Sequence, residues 1–268
     1  MRKKPLAVPR DSRECTLPTR GGNVLMKPGK ADRVRTHLFF LAVSLLFLSL
    51  ATVPAYCQRG SLDLNVGQVS DKFGDQPEVT SPILDVNGEF TVKKPSAKNG
   101  GPSIVAGGEI RVPSDAGHAK EFAVYGGLVF AIHDFSIGVD AEVRKILMPT
   151  AFVDGQVLNR DNMELFEVPL TIKYKFGPGK RAFIEAKGEP EFTPRFKVSP
   201  LSKVILPNPN LDHGYALRGS VGYNFGSHWY AKGTYETRYF KFAENIGNPS
   251  SLYNWKSNMI TGGVGVRF

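Results

Sequence analysis

From residue 103 to the end of the chain, apolar residues alternate with small or polar ones in stretches of about ten residues, the length of a tilted strand that crosses a membrane. The clearest stretch is 164–176. One of its faces carries Phe166, Val168, Leu170, Ile172, Tyr174 and Phe176, and the other carries Leu165, Glu167, Pro169, Thr171, Lys173 and Lys175. A helix turns with a period of 3.6 residues and would mix the two sets.

The same division recurs along the chain. In 103–112, Ile104, Ala106, Ile110 and Val112 oppose Glu109 and Arg111, and in 121–133 Phe122, Val124, Leu128, Phe130 and Ile132 share a face. In 135–145, Phe135, Ile137, Val139 and Val143 oppose Asp140, Glu142 and Arg144; in 181–192, Ala182, Ile184 and Ala186 oppose Phe183, Glu185, Lys187 and Glu189. Arg218 stands against Leu217 and Val221, Glu236 and Arg238 against Tyr235 and Tyr239, and Arg267 against Ile260, Val264, Val266 and Phe268. Eight strands are predicted in all.

A soluble sandwich also alternates, so three further features choose the solvent. Short turns at 133–134, 177–180 and 226–228 take strict turns with long connections at 113–120, 146–163, 193–214 and 240–254, as in an outer-membrane barrel. The polar face carries both signs on nearly every strand. Its predicted network is Glu109, Arg111, Asp140, Glu142, Arg144, Glu167, Lys173, Lys175, Glu185, Lys187, Arg218, Glu236, Arg238 and Arg267, filling a lumen just wide enough for side chains. Aromatic residues (Tyr174, Phe176, Tyr215, Phe225, Trp229, Tyr230, Tyr239, Phe240, Trp255 and Phe268) fall near strand ends, where amphipathic rings form girdles at headgroup level.

On these residues the chain resembles the outer-membrane β-barrel protein family, specifically the OmpA-type small barrels. The run Phe166-Glu-Val-Pro-Leu-Thr-Ile-Lys-Tyr-Lys-Phe is similar to a central strand of that group, and Gly262-Gly-Val-Gly-Val-Arg-Phe268 to its terminal strand. The likeness covers 103–268. It implies that Ile260, Val264, Val266 and Phe268 form the signal read by the barrel-assembly machinery.

Ahead of the barrel, residues 38–50 read LFFLAVSLLFLSL, preceded by basic residues and followed by Ala-Thr-Val-Pro-Ala-Tyr-Cys. That is the layout of a secretory signal, with cleavage after Ala55 or Cys57 and Met26 as an alternative start. An uncleaved anchor and a lipoprotein acylated at Cys57 are the rival readings; Tyr56 sits where acylation needs a small residue. The predicted organisation is a leading segment and signal at 1–57, a periplasmic linker or plug at 58–102, and the barrel at 103–268. An Asn87-Gly88 turn between 83–86 and 89–92 leaves open an extra hairpin and ten strands.

Charge changes the picture only once it is located. The net charge is +9, but ten of the 34 Lys and Arg and three of the 25 Asp and Glu lie in 1–57. The remainder is nearly neutral, which argues against a nucleic-acid partner. Both cysteines, Cys15 and Cys57, also lie there, so the barrel has neither disulfides nor thiolate metal ligands. No catalytic motif stands out, and His118, His133, His213 and His228 fall in turns or loops, where solvation is the ordinary state. Beside Asp212, His213 forms the one local acid–base pair. The expectation is a non-enzymatic surface-interaction barrel with no cofactor and no metal, whose partners are the bilayer, the assembly machinery and an extracellular ligand at the loops. A small pore and a lipid-modifying or proteolytic enzyme are the alternatives.

Overall fold

A computed structural model describes residues 59–93, 101–149, 151–153, 156–158, 162–197, 211–242 and 254–268. The signal segment lies outside the described residues. The strands are β1 (Arg59–Phe73), β2 (Val79–Lys93), β3 (Ser103–Pro113), β4 (Lys120–Ile132), β5 (Phe135–Leu147), the small β6 (Ala151–Val153) and β7 (Gln156–Leu158), β8 (Asn162–Glu167), β9 (Leu170–Phe176), β10 (Ala182–Lys197), β11 (Leu211–Asn224), β12 (Trp229–Phe242) and β13 (Trp255–Arg267).

All but the β6–β7 hairpin form one antiparallel sheet, and β1 pairs with β13 from Ser61↔Arg267 to Phe73↔Trp255, which closes the wall. β8 and β9 are two halves of one wall strand, since both pair with β5 and with β10. Pro169 interrupts the ladder between them because it has no N–H to donate; its carbonyl still accepts from the Asp140 N–H at 3.0 Å. The barrel therefore has ten strands, the larger of the two counts that the sequence allowed. Closure leaves no unpaired edge, which hydrocarbon would penalise.

The additional pair is β1–β2, so 59–93 is wall rather than linker or plug. Its turn is not where the sequence placed it. Asn87 and Gly88 sit mid-strand, opposite Asp63 and Leu62 on one side and Glu109 and Gly108 on the other. The chain reverses instead at 74–78, where Gly74 takes φ 54° and its N–H reaches the Asn254 carbonyl at 2.7 Å. Asn87 was a poor turn residue because its side chain has work inside, accepting from the Tyr125 hydroxyl at 3.3 Å. The pair also breaks the strict alternation of connections. The five residues 74–78 are on the long-loop side, and the longer link 94–102 is on the turn side.

The outward face is apolar around the wall. Val66 is 61% exposed, Val124 66% and Ile260 61%, with Leu217, Val221, Ile184 and Ile172 likewise open. These side chains do not meet a second sheet. An apolar surface that encircles the molecule belongs in hydrocarbon, not water. Several aromatics assigned to the girdles lie elsewhere: Tyr230, Phe240 and Trp255 are buried and point inward. They share the phase of Lys232, Arg238 and Ser257, so strand position misled where phase would have placed them.

The strands overshoot the membrane. The 16 residues of β10 at about 3.3 Å each, tilted by about 40°, rise roughly 40 Å against an apolar band of about 25 Å. Since Ala182 and Ile184 begin at the turn side, the excess stands on the loop side.

Candidate functional site: a layered lumen

The inward positions of the ten strands meet in three layers. The middle layer is ionic. Arg144 of β5 is fully buried and reaches Glu121 at 2.8 Å, Glu109 at 3.1 Å, Glu167 at 3.3 Å and Glu189 at 3.7 Å, and it also pairs with Glu142. Arg111 takes Glu236 with both terminal nitrogens at 2.6 Å, the bidentate geometry that suits a planar guanidinium, and Glu109 at 3.1 Å. Arg218 spans Glu236 at 2.7 Å and Glu109 at 3.0 Å; Arg238 spans Glu121 at 2.6 Å and Glu189 at 2.9 Å. Lys187 joins Glu142 and Glu189 at 3.1 and 2.7 Å. Each guanidinium binds carboxylates from several strands, so the block ties distant parts of the wall together. Glu142, Glu167 and Glu189 come close enough to share one cation, and Arg144 is that cation.

On the loop side lies an apolar layer. The Trp255 ring is stacked between Phe73 and Phe240, with centroids 5.8 and 5.6 Å away and planes within 9°. Ile146, Met163, Leu165 and Phe242 complete it. Trp255 donates from Nε1 to Asp71 at 3.0 Å, and the other oxygen of Asp71 meets Nδ1 of His118 at 2.8 Å. His118 is thus a buried member of the lumen cap, contrary to the solvated loop histidine expected from sequence. Its place in the connection between β3 and β4 hid the carboxylate waiting on β1.

On the turn side, Lys173 pairs with Glu185 at 2.8 Å and lies 4.4 Å over the Phe183 ring. Asp63 holds both Lys232 and the Tyr230 hydroxyl. Of the sequence-predicted network, Glu109, Arg111, Glu142, Arg144, Glu167, Lys187, Arg218, Glu236 and Arg238 meet in the middle layer. Lys173 and Glu185 form the pair below it, Asp140 is half-buried, and Lys175 and Arg267 stand at the turn-side mouth.

Seven charged residues of the lumen stand outside the predicted network: Asp63, Asp71, Asp85, Glu89, Glu121, Glu189 and Lys232. Glu121, Glu189 and Lys232 lie on the inward phase of strands already read correctly, so phase was the signal. The three aspartates and Glu89 lie on the β1–β2 pair.

In architecture the chain is similar to outer-membrane barrels. The outer membrane protease OmpT from Escherichia coli matches at 9% identity and a TM-score of 0.48, over 81% of this chain and 99% of that one. Neisserial surface protein A matches at 10% and 0.36, over 78% of this chain and 97% of that one. The KdgM porin matches at 13% and 0.34, over 78% and 98%. At such identities and scores the likeness carries no argument about activity. No protein-family model matches the chain, and no curated protein does.

The acid–base pair picked out in the sequence is formed: His213 Nδ1 lies 3.1 Å from Asp212 at the loop end of β11, both about half exposed. Lys241 lies 3.9 Å from the same carboxylate, and the Tyr239 ring is 5.7 Å from the imidazole. On β13, Ile260, Val264 and Phe268 are exposed on the outer face, with Val266 half-buried in the same row.

Proposed function

We propose that the protein is a sealed outer-membrane scaffold, exported through a cleaved signal peptide, that presents its long loops to a partner outside the cell. In kind this is the role of the OmpA-type small barrels, carried by ten strands. One observation supports it above the others: the lumen is blocked twice, by the ionic layer and by the Phe73–Trp255–Phe240 stack above it. The overshoot of β10 supports it too, since a rigid wall rising past the headgroups holds loops away from lipid. Two of the contact surfaces are the connections 198–210 and 243–253, which lie outside the described residues. The assembly machinery would read the outward row of β13.

A non-enzymatic role fits the His213–Asp212 pair, whose groups are open to water and whose carboxylate also faces Lys241. Conductance across a planar bilayer tests the reading. Silence is expected from the reconstituted protein, and a steady ohmic current would refute the sealed lumen. Detergent-extracted protein should also migrate differently on a gel before and after boiling; a soluble monomer without detergent would refute the membrane scaffold.

A further inference from the structure

The two ends of the lumen differ in charge. In the middle layer seven buried carboxylates (Asp85, Glu109, Glu121, Glu142, Glu167, Glu189 and Glu236) face five cations (Arg111, Arg144, Lys187, Arg218 and Arg238), a formal excess of negative charge. At the turn-side mouth the balance reverses. A cavity of about 630 Å³ there is lined by Arg59, Lys173, Lys175 and Arg267, with Ser136 and His228 beside them; no Asp or Glu side chain lines it, and the main-chain carboxylate of Phe268, whose oxygen accepts from the Gly60 N–H at 2.8 Å, sets one negative charge against these four cations. A second cavity of about 460 Å³ shares Lys175 and Arg267 and adds Lys180 and Arg181.

Some of these cations are already engaged. Lys173 has Glu185, and Lys180 has Asp134 at 2.5 Å. The Arg267 guanidinium lies 4.6 Å over the Tyr230 ring, which holds it toward the cavity. Among the described residues, Arg59, Lys175 and Arg267 have no carboxylate within ion-pair distance. Like charges gathered in a concave mouth repel one another, and the low-dielectric wall weakens the screening by water. An anion bound among them would relieve that repulsion.

We infer that the turn-side mouth is a blind binding pocket for an oxyanion, a phosphate or a carboxylate group. The pocket is blind because the next layer inward is acidic and packed, so an anion can enter but is not passed on. The compartment it faces, the periplasm, rests on the membrane reading above. Titration in detergent tests the pocket by itself, so the two can fail separately.

The test is calorimetric titration of the folded full chain with inorganic phosphate and, in a second arm, with glutarate. Saturable binding is expected, and the tighter probe names the ligand group. Lys175→Gln with Arg59→Gln should weaken binding by about tenfold or more, because charge-assisted hydrogen bonds are lost. Lys120→Gln, at the loop-side rim, should leave it unchanged. Lys175→Gln alone, at an exposed position, should weaken binding by about threefold, and Lys175→Arg should retain it. Absence of saturable binding with either probe would overturn the proposal, as would equal affinity in wild type and Lys175→Gln.

Discussion

Replacing Arg144 by Met removes one guanidinium from the centre of the ionic layer and keeps much of its bulk. Five carboxylates lie within 3.7 Å of Arg144, all buried. Other cations stay beside them: Glu109 keeps Arg111 and Arg218, Glu121 keeps Arg111 and Arg238, Glu142 keeps Lys187, and Glu189 keeps Lys187 and Arg238. The layer nonetheless goes from five cations against seven carboxylates to four against seven, and all seven carboxylates are buried. Breaking a buried ion pair from one side costs about 3–5 kcal/mol, whereas replacing the whole network with apolar groups need not cost anything. The expected loss is therefore about 3–5 kcal/mol, roughly two to three and a half orders of magnitude in the unfolding equilibrium. Guanidinium titration of protein folded into phospholipid vesicles measures it, followed by tryptophan emission, since Trp229 faces outward and Trp255 lies inside. Adding Glu167→Gln should recover part of the loss, because one buried negative charge then disappears. A loss under about 1 kcal/mol for Arg144→Met would show the layer to be hydrated, and the sealed-lumen argument would fail with it.

The wall makes two more predictions. Ile172→Arg and Val168→Arg place a charge on the outward face beside Ile137 and Ala141 and should each cost about 2–4 kcal/mol, whereas Thr171→Arg, facing the lumen, should act through crowding instead; the same vesicle titration reads all three, and equal negligible effects would contradict the lipid face. Trp255→Ala should cost about 3–5 kcal/mol by leaving a void between Phe73 and Phe240, and should leave one oxygen of Asp71 without its indole donor. Brief current bursts in Trp255→Ala, absent from wild type, would mark the aromatic layer as the outer seal.

Most of the wall was legible in the sequence because a strand's two faces are a local property. A period of two sorts residues to inside or outside without reference to any partner, and the phases assigned to the described strands of 103–268 are those of the structure. Membership in the ring was not local. β1 carries Gln68, Ser70 and Lys72 on its outer face, and β2 carries Pro82 and Gly88 there, so neither reads as a strong membrane strand alone. They become wall because β13, nearly two hundred residues away in sequence, offers β1 a continuous edge from Ser61 to Phe73.

Register decided the chemistry of the lumen in the same way. Following the pairing once around the barrel from Leu62 leads back to β1 about twelve residues further along, the stagger that closure demands. That stagger brings Arg111 of β3 against Glu236 of β12, and Asp71 of β1 against His118 and Trp255. By itself the sequence determined which residues face inward; only the closed ring decided which of them meet. Alternation is set within each strand by backbone geometry, while contact across a lumen depends on how every strand is displaced against the next.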